Sequence, residues 1–209
     1  MDKKHILEQM RGDMLLFGRM IMPNMFSQES PKFHYHITKH LLDEKQKQIN
    51  IIAPRGHAKS SVVAGVFPLF HLMFDPGVKV VVLVSRTQSH ATKLLGTIKD
   101  VLNYSQEFRY FFGYWGMQNA RKWSNNEIEL KDGSIVICKG TGQQIRGIKH
   151  GNQRPTLIVL DDPEDEVNTK LQKLWSSTFV GFYNLVYLPL TLSRGGLLLL
   201  VHLNTNDVS

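Results

Sequence analysis

The 209-residue chain holds one cysteine, Cys138, and lacks any hydrophobic run that could span a bilayer. A lone cysteine cannot form an internal disulfide, which suits a reducing compartment, and we expect it to be a small buried hydrophobic residue. The apolar runs 78–84 and 197–201 fall far short of the roughly 20 residues that a membrane-spanning helix needs. The N-terminus also lacks the apolar core of a signal peptide. These absences predict a soluble intracellular protein that acts away from membranes.

Acidic residues are scarce relative to basic ones. The chain has 25 Lys and Arg against 18 Asp and Glu, and its formal net charge is +7. This surplus favours an anionic partner, and nucleic acid is the commonest large one. The stretch from Lys139 to Leu160 contains four basic side chains and His150 but no acidic residue. It is the best local candidate for contact with DNA, although solvated surface charge explains it equally well.

No internal repeat or low-complexity tract interrupts the chain, and its length suits one α/β domain. Apolar residues at helical spacing predict helices over 6–21, 33–42, 59–74, 88–103 and 167–183. Short apolar runs predict strands at 49–53, 78–85, 127–130, 134–139, 156–160 and 196–202. The Asp132-Gly133 pair predicts a hairpin. The alternation implies a mostly parallel central sheet flanked by helices, in a domain over 31–209 that an N-terminal helical segment, 1–30, precedes.

A phosphate-binding loop is predicted where the first buried strand ends. The strand 49–53 leads into a polar loop and then into the apolar helix 59–74, whose free N–H groups and dipole would favour a phosphate chain. Lys59 would reach the outer phosphates of ATP, and the Ser60 hydroxyl would bind Mg²⁺. The residues that we expect to line the nucleotide are Pro54, Arg55, Gly56, His57, Ala58, Lys59, Ser60 and Ser61.

An acidic segment supplies the second half of the predicted site. The strand 156–160 runs directly into Asp161 and Asp162, and Glu164 follows. Because ligands gather at the carboxyl ends of parallel strands, we expect this segment beside the loop. Asp161 would hold the same Mg²⁺ ion through water, and the remaining carboxylates are candidates for orienting the attacking water.

The loop departs from the usual pattern G-x-x-x-x-G-K-[ST] at both glycine positions, which Ala53 and Ala58 occupy. Alanine is the smallest replacement, but it lacks the easy access to positive φ that glycine has. We therefore expect a loop of slightly altered shape. Taken alone, the segment could be a polar turn between a strand and a helix, and the second acidic segment makes that alternative much weaker.

Three further groupings have both a functional and a structural interpretation. His36 and His40 could share a helix face as zinc ligands, but no acidic or cysteine partner lies at ligand spacing, so structural or surface histidines are favoured. Residues 33–35 precede the loop, where they could hold a nucleotide base or, for Phe33, join the core. The aromatic residues of 108–115 could stack on bases, but packing in a lid or subdomain is favoured.

Three motifs follow one another along the chain: the loop 53–60 (APRGHAKS), the glycine-rich segment 140–147 (GTGQQIRG) and the acidic segment 160–165 (LDDPED). This order resembles the N-terminal ATPase domain of the large terminase subunit of tailed bacteriophages, from about residue 31 to residue 207. The resemblance implies a P-loop NTPase fold of the ASCE or RecA-like type, with ATP and Mg²⁺ as cofactors. It also implies a homo-oligomeric ring in the host cytoplasm that drives double-stranded DNA into a procapsid, with the portal protein and the small terminase subunit as partners.

The resemblance also assigns roles to individual residues. Lys59 and Ser60 become the phosphate and Mg²⁺ ligands, Arg55 contacts the phosphates, and Asp161 is the metal-linked carboxylate. Arg146 resembles an arginine that acts on the nucleotide of the neighbouring subunit. A contact with a DNA phosphate or a role as surface charge is the alternative for Arg146.

The water-orienting residue has two candidates. Motors of this class usually place a glutamate directly after the metal-linked aspartate, and this chain has Asp162 there. Because aspartate is one methylene shorter, either Asp162 works through a displaced water or Glu164 reaches in. Glu164 is slightly favoured.

The C-terminal part departs most from the family pattern. In terminases, the strand that corresponds to 196–202 is usually followed by a Gly-Thr pair that couples hydrolysis to movement. In this chain, Asn204 or Thr205 is the candidate for that role. No nuclease domain with clustered acidic ligands follows, so we expect a fragment, a split gene product or a degenerate copy that does not cut DNA.

Two alternatives to a working motor remain. One is another DNA-dependent ATPase, such as a helicase-like remodeler, and the other is a catalytically inactive DNA-binding or structural remnant.

Overall fold

The computed structural model describes residues 2–43, 45, 48–53, 57–141, 143, 148, 150–151, 153–162 and 197–203. The α-helices within this part are α1 (Lys3–Gly12), α2 (Met14–Ile21), α3 (Lys32–Leu41), α4 (Phe67–Phe74), α5 (Gln88–Tyr104) and α6 (Gln106–Phe112). Short 3₁₀ helices lie at Pro23–Met25 and Met117–Asn119. The strands are β1 (Gln48–Ala53), β2 (Val80–Ser85), β3 (Lys122–Trp123), β4 (Glu127–Glu129), β5 (Ile135–Gly140), β6 (Leu157–Asp161) and β7 (Leu197–Leu203).

The seven strands form one sheet in the order β1-β7-β6-β2-β5-β4-β3. The first five in this order are parallel, whereas β4 and β3 are antiparallel to their neighbours. Every residue of β2 and of β6 is buried, as expected for central strands covered on both faces. The predicted α/β fold with a mostly parallel sheet flanked by helices is confirmed.

All six predicted strands are present within two residues of their predicted bounds. The edge strand β3 and the helix α6 were not predicted. The predicted helix over 167–183 lies outside the described residues. None of the described helices is long and apolar enough to cross a membrane.

The single helix predicted over 6–21 is wrong, because two helices meet there at Asp13. This residue leaves the helical conformation, with φ −136° and ψ 100°, where it ends α1 and caps α2. Its Oδ1 accepts hydrogen bonds from the N–H groups of Leu15 and Leu16, both at 2.9 Å. The side chain thereby satisfies N–H groups that the first turn of a helix leaves without intrahelical partners.

An aromatic cluster joins α2, α4 and α6 in the core. The Phe17 ring makes edge-on contacts, with centroids 5.5–5.9 Å apart, to the rings of Phe70, Phe74 and Phe112. Phe17 and Phe108 are fully buried. Packing is therefore the role of the phenylalanines in 108–115, whereas Tyr110 is 61% exposed. Edge-on pairs of this kind add stability beyond their buried area.

Cys138 is fully buried in β5, as predicted. Burial raises the pKa of its thiol, and hydrogen bonds with the side chains of Thr92 and Gln88 lower the pKa only in part. A thiol in this environment stays protonated at neutral pH and is a poor nucleophile.

The predicted Asp132-Gly133 hairpin is confirmed. It joins the antiparallel strands β4 and β5, and the Leu130 N–H donates to the Ser134 carbonyl at 2.8 Å. Gly133 has φ +88°, which glycine reaches without strain. The Asp132 Oδ1 accepts a hydrogen bond from the Ser134 N–H at 2.9 Å and so closes the turn.

Candidate nucleotide-binding site

The carboxyl ends of β1 and β6 lie on the same edge of the sheet, with β7 between them. Neighbouring strands are about 4.8 Å apart, so these two ends are about 10 Å apart. From β6 the chain continues to β7 on one side. From β2, the other neighbour of β6, it continues through α5, α6, β3 and β4 to β5 on the opposite side. Ligands of open α/β sheets bind where the connections diverge in this way. The fold therefore places the ends of both predicted site segments at one ligand-binding edge.

Ser60 and Asp161 form a direct contact across this edge. The helix after the loop begins at Lys59, and the Ser60 Oγ donates a hydrogen bond to the Asp161 Oδ1 at 2.7 Å. The two partners are 101 residues apart in the chain. A hydroxyl and a carboxylate are oxygen ligands of the kind that Mg²⁺ prefers. The two side chains predicted to hold the metal are thus brought together.

Asp161 is only 7% exposed, and this burial shapes its electrostatics. Burial raises the pKa of Asp161 above its ordinary value of 3.8; the Ser60 hydrogen bond lowers this pKa, and the neighbouring Asp162 raises it. Weaker effects that lower the pKa come from Lys59, which is 5% exposed, and from His90. Because burial disfavours the carboxylate charge, a further cation beside Asp161 would offset that cost.

Ala58 has a left-handed backbone conformation, with φ +50°. Residues other than glycine seldom enter this region, and alanine does so at a cost of about 1–2 kcal/mol. In the usual loop pattern a glycine stands here, directly before the lysine. Ala58 therefore adopts a conformation that glycine reaches freely. The expected change in loop shape concerns residues 54–56 as well, and these lie outside the described residues.

The helix that follows the loop is π-helical before it becomes α-helical. Ser61–Val66 form a π-helix that continues directly into α4, and 62–66 are buried. The extent predicted for this helix, 59–74, is confirmed. Its π geometry could not be predicted, because an almost wholly apolar segment has no polar face to reveal its period. Such segments are rare and often occur at functional sites.

Helix α3 contacts the loop through His34. The His34 residue is 5% exposed, and its Nε2–H donates to the His57 carbonyl oxygen at 2.9 Å. The Phe33 ring packs against the hydrophobic core, which favours the core interpretation, and lies 5.5 Å from the His57 ring. Tyr35 is 44% exposed and accepts a hydrogen bond from Arg19 at 3.4 Å. The sequence singled out residues 33–35 as candidates for holding the nucleotide base, but it did not indicate this contact between His34 and the loop.

The predicted site residues divide into described and undescribed ones. Those outside the described residues are Pro54, Arg55, Gly56, Arg146 and Glu164. Those that the structure describes at or next to the strand ends are His57, Ala58, Lys59, Ser60, Ser61, Asp161 and Asp162. Asp162 follows β6 directly, is half-buried and has φ +41°. His90, in the first turn of α5, was not predicted, although its charge affects Asp161.

Gly140 marks the point where the glycine-rich segment leaves the sheet. It ends β5 and pairs with Ser85, whose partner on the other side is Asp161. A Cβ atom on Gly140 would lie 2.7 Å from the Gln88 backbone nitrogen, and the Gly140 N–H donates to the Gln88 Oε1 at 3.0 Å. The close approach of α5 therefore requires a residue without a side chain at this position.

The zinc interpretation of His36 and His40 gains no structural support. Both are exposed on α3. Within the described part of the chain, no three His, Cys, Asp or Glu side chains cluster so that they could hold a metal ion.

No family model and no curated protein matches this chain. Solved structures do match it. The HK97 bacteriophage large terminase is 11% identical with a TM-score of 0.50, over 84% of this chain and 33% of its own. The ATPase domain of the Thermus phage P74-26 large terminase is 12% identical with a TM-score of 0.50, over 86% and 66%. The Phi-28 gp11 DNA packaging motor is 16% identical with a TM-score of 0.50, over 78% and 48%.

At these identities the likeness shows the fold alone. The chain has an α/β P-loop NTPase fold. More narrowly, this fold is that of the ATPase domains of phage large terminases, so the resemblance drawn from the three motifs is confirmed in fold. The chain spans a third of the HK97 large terminase and about half of the Phi-28 motor.

Proposed function

We propose that this chain is the ATP-hydrolysing motor domain of a phage large terminase and that it drives double-stranded DNA into a procapsid. The observation that carries the proposal is the hydrogen bond between Ser60 and Asp161 beside the buried Lys59. These three side chains are the ones that the loop and the acidic segment were predicted to contribute to an ATP and Mg²⁺ site. The likeness to terminase ATPase domains and to a DNA packaging motor supports DNA as the cargo.

The described residues fit ATP and Mg²⁺ through the chemistry of their donors. Lys59 would bind the outer phosphates, and Ser60 and Asp161 would hold Mg²⁺. When bound, the ion supplies positive charge that stabilises the phosphoryl oxygens during transfer. Because burial raises the pKa of Asp161, a cation at this position would offset an existing desolvation cost.

Either Asp162 or Glu164 would orient the attacking water, and Glu164 is the slightly favoured candidate. Only one carboxylate should carry this role, so Asp162→Asn and Glu164→Gln should reduce ATP hydrolysis to very different extents. Steady-state turnover of the two variants at saturating ATP distinguishes them. Equal and mild effects would show that neither carboxylate orients the water.

Two arginines complete the proposed mechanism. Arg55 would contact the phosphates from within the loop, and Arg146 would act on the nucleotide of a neighbouring subunit. An arginine that meets charge developing in the transition state can be worth about 10³–10⁵ in rate. Mixing an Arg146→Ala chain with a Lys59→Ala chain should then restore some activity. No rescue at any mixing ratio would indicate that Arg146 acts within one chain or contacts DNA.

The proposed assembly is a homo-oligomeric ring at the portal protein of the procapsid, in the host cytoplasm, with the small terminase subunit as a further partner. The formal net charge of +7 suits a polyanionic cargo, because basic side chains that neutralise DNA phosphates release counterions. The basic stretch 139–160 remains the sequence-based candidate for the DNA contact.

The experiment that tests the proposal is steady-state ATP hydrolysis with Mg²⁺, with and without double-stranded DNA. Lys59→Ala serves as the blank, and Lys93→Ala, which removes an exposed lysine from α5, is the matched control. We expect turnover above the blank and stimulation by duplex DNA. A concentration series is needed, because a chain that depends on the Arg146 of a neighbour hydrolyses ATP slowly when dilute.

Other outcomes identify the rival functions. Stimulation by single-stranded DNA together with strand separation would indicate a helicase-like ATPase. No turnover combined with no nucleotide binding would indicate an inactive remnant.

A further inference from the structure

We propose that His34 is a positioning residue that keeps the end of the phosphate loop, at His57 and Ala58, in its nucleotide-binding conformation by fixing the peptide between these two residues. This inference rests on the proposed function, because it concerns the loop that would bind ATP. It extends the site to α3, which the loop motif does not include.

The His34 hydrogen bond fixes the orientation of one peptide unit. The His57 carbonyl and the Ala58 N–H belong to the same planar trans peptide and point in opposite directions. His34 holds this carbonyl at 2.9 Å, so the Ala58 N–H faces away from the His34 ring. Rotation of the same peptide plane about the N–Cα bond of Ala58 is the φ angle of Ala58, which is +50°. The His34 hydrogen bond therefore acts directly on the strained angle.

An alanine in the left-handed region needs support that a glycine does not need. Strained backbone conformations persist only where the surrounding structure determines them. Glycine populates positive φ about as readily as negative φ, so a loop with glycine at this position would keep its shape without help. The hydrogen bond from His34 supplies the support that Ala58 requires.

The His34 side chain is itself held firmly. It is 5% exposed, and its ring lies 4.3 Å from the Phe33 ring. Its Nδ1 is buried and makes no hydrogen bond within the described residues, so the bond from Nε2 to His57 is the polar contact that fixes the ring there. A carbonyl oxygen can only accept, so Nε2 carries the proton.

The test compares His34→Gln with His34→Asn. Both variants remove the aromatic ring, but the glutamine amide nitrogen can reach the position of Nε2, whereas that of asparagine is one carbon short. We expect His34→Asn to weaken the binding of ADP with Mg²⁺ about tenfold, the effect of leaving one loop carbonyl without its donor. His34→Gln should stay within about threefold of the wild type. For ATP hydrolysis, KM should rise in the asparagine variant with little change in kcat, because bound nucleotide restores the loop.

A second substitution distinguishes positioning from general packing. In an Ala58→Gly background, the loop no longer needs the hydrogen bond, so His34→Asn should weaken ADP binding far less than tenfold. A defect in packing around α3 would instead be the same in both backgrounds. Thermal unfolding of each variant monitors overall stability, and His34→Phe, which keeps a ring but has no donor, replaces His34→Asn if that variant does not fold.

Hydrogen exchange of the peptide 57–62 without nucleotide gives a readout that does not depend on ATP binding. Exchange should be faster in His34→Asn than in His34→Gln, and the difference should vanish in the Ala58→Gly background. If the wild type binds no ADP, the proposed function fails, while the exchange rates still decide the role of His34. Equal affinity and equal exchange in the two His34 variants, or an undiminished loss in the Ala58→Gly background, would overturn the inference.

Discussion

Replacing Ser60 by alanine removes the donor of the 2.7 Å hydrogen bond to Asp161 and leaves the carboxylate buried. Hydrogen bonds to charged groups contribute about 1.5–3 kcal/mol, so we expect a loss of that size in the free energy of unfolding of the nucleotide-free protein. For a chain of 150–250 residues, 1 kcal/mol shifts Tm by about 2–4 °C. The expected drop in Tm is therefore about 3–12 °C.

The same substitution should have a smaller effect at low pH. The Ser60 hydrogen bond lowers the pKa of Asp161, which burial holds above 3.8, so Ser60→Ala raises that pKa further. Above the pKa, the ionised carboxylate keeps its desolvation cost but has lost its donor. Below the pKa, the carboxyl group is protonated and the missing donor matters less. The difference in Tm between wild type and variant should thus narrow as the pH falls through the folded-state pKa of Asp161.

Thermal unfolding followed by circular dichroism at pH 8 and at pH 3, which lies below the ordinary aspartate pKa of 3.8, measures both effects without nucleotide or metal. Ser60→Thr keeps the hydroxyl and should stay close to the wild type. Ser89→Ala, which removes an exposed hydroxyl from the first turn of α5, controls for loss of a serine in general. A Tm for Ser60→Ala equal to that of the wild type at pH 8, or an equal drop at both pH values, would show that this hydrogen bond does not stabilise an ionised Asp161.

Three further outcomes follow from described contacts. Asp161→Asn should raise Tm at pH 8, because burial disfavours the charge of Asp161 and raises its pKa. In calorimetry this gain in Tm should fade toward pH 4, and a gain that does not depend on pH would contradict the prediction. Gly140→Ala should lower the free energy of unfolding, measured in urea, by about 1–3 kcal/mol, because the new Cβ would lie 2.7 Å from a backbone nitrogen of α5. Gly12→Ala is the control and should be tolerated, because a Cβ there would have no neighbour within 4 Å. Thr156→Val should lower the free energy of unfolding by about 1–3 kcal/mol, because the Thr156 Oγ1 accepts a hydrogen bond from the buried Val80 N–H at 3.2 Å. Unchanged urea unfolding would contradict this.

The parts of the fold that could be predicted are those in which a local pattern and the tertiary structure agree. β2 and β6 are continuous apolar runs that end at polar residues, so their burial follows from the sequence, and so do their bounds to within two residues. The Asp132-Gly133 turn is equally local. The break at Asp13 was missed because apolar residues keep their helical spacing on both sides of it, and the cap depends on a single side chain.

In the candidate site, too, some residues could be predicted from local sequence patterns and others could not. Ser60 and Asp161 were predictable because each follows a strand whose carboxyl end must lie at the ligand-binding edge of a parallel sheet. The contributions of His34 and His90 could not be predicted, because each depends on how a separate helix packs against the strand ends. Their residue types and spacing resemble those of ordinary surface histidines.

Two residues with a left-handed backbone conformation lie next to the candidate site. Among the described residues, Ala58 and Asp162 are the two non-glycine residues with positive φ, and they flank the Ser60–Asp161 contact along the chain, one on each segment. Strain of about 1–3 kcal/mol at such residues persists where the surrounding structure determines it, and it concentrates at functional sites. Judged by residue identity alone, the replacement of glycine by alanine at position 58 would be expected to disrupt the loop. The backbone shows instead that the alanine occupies the conformation glycine would have favoured, so the substitution lowers stability and makes the loop depend on α3 without abolishing the arrangement around Lys59.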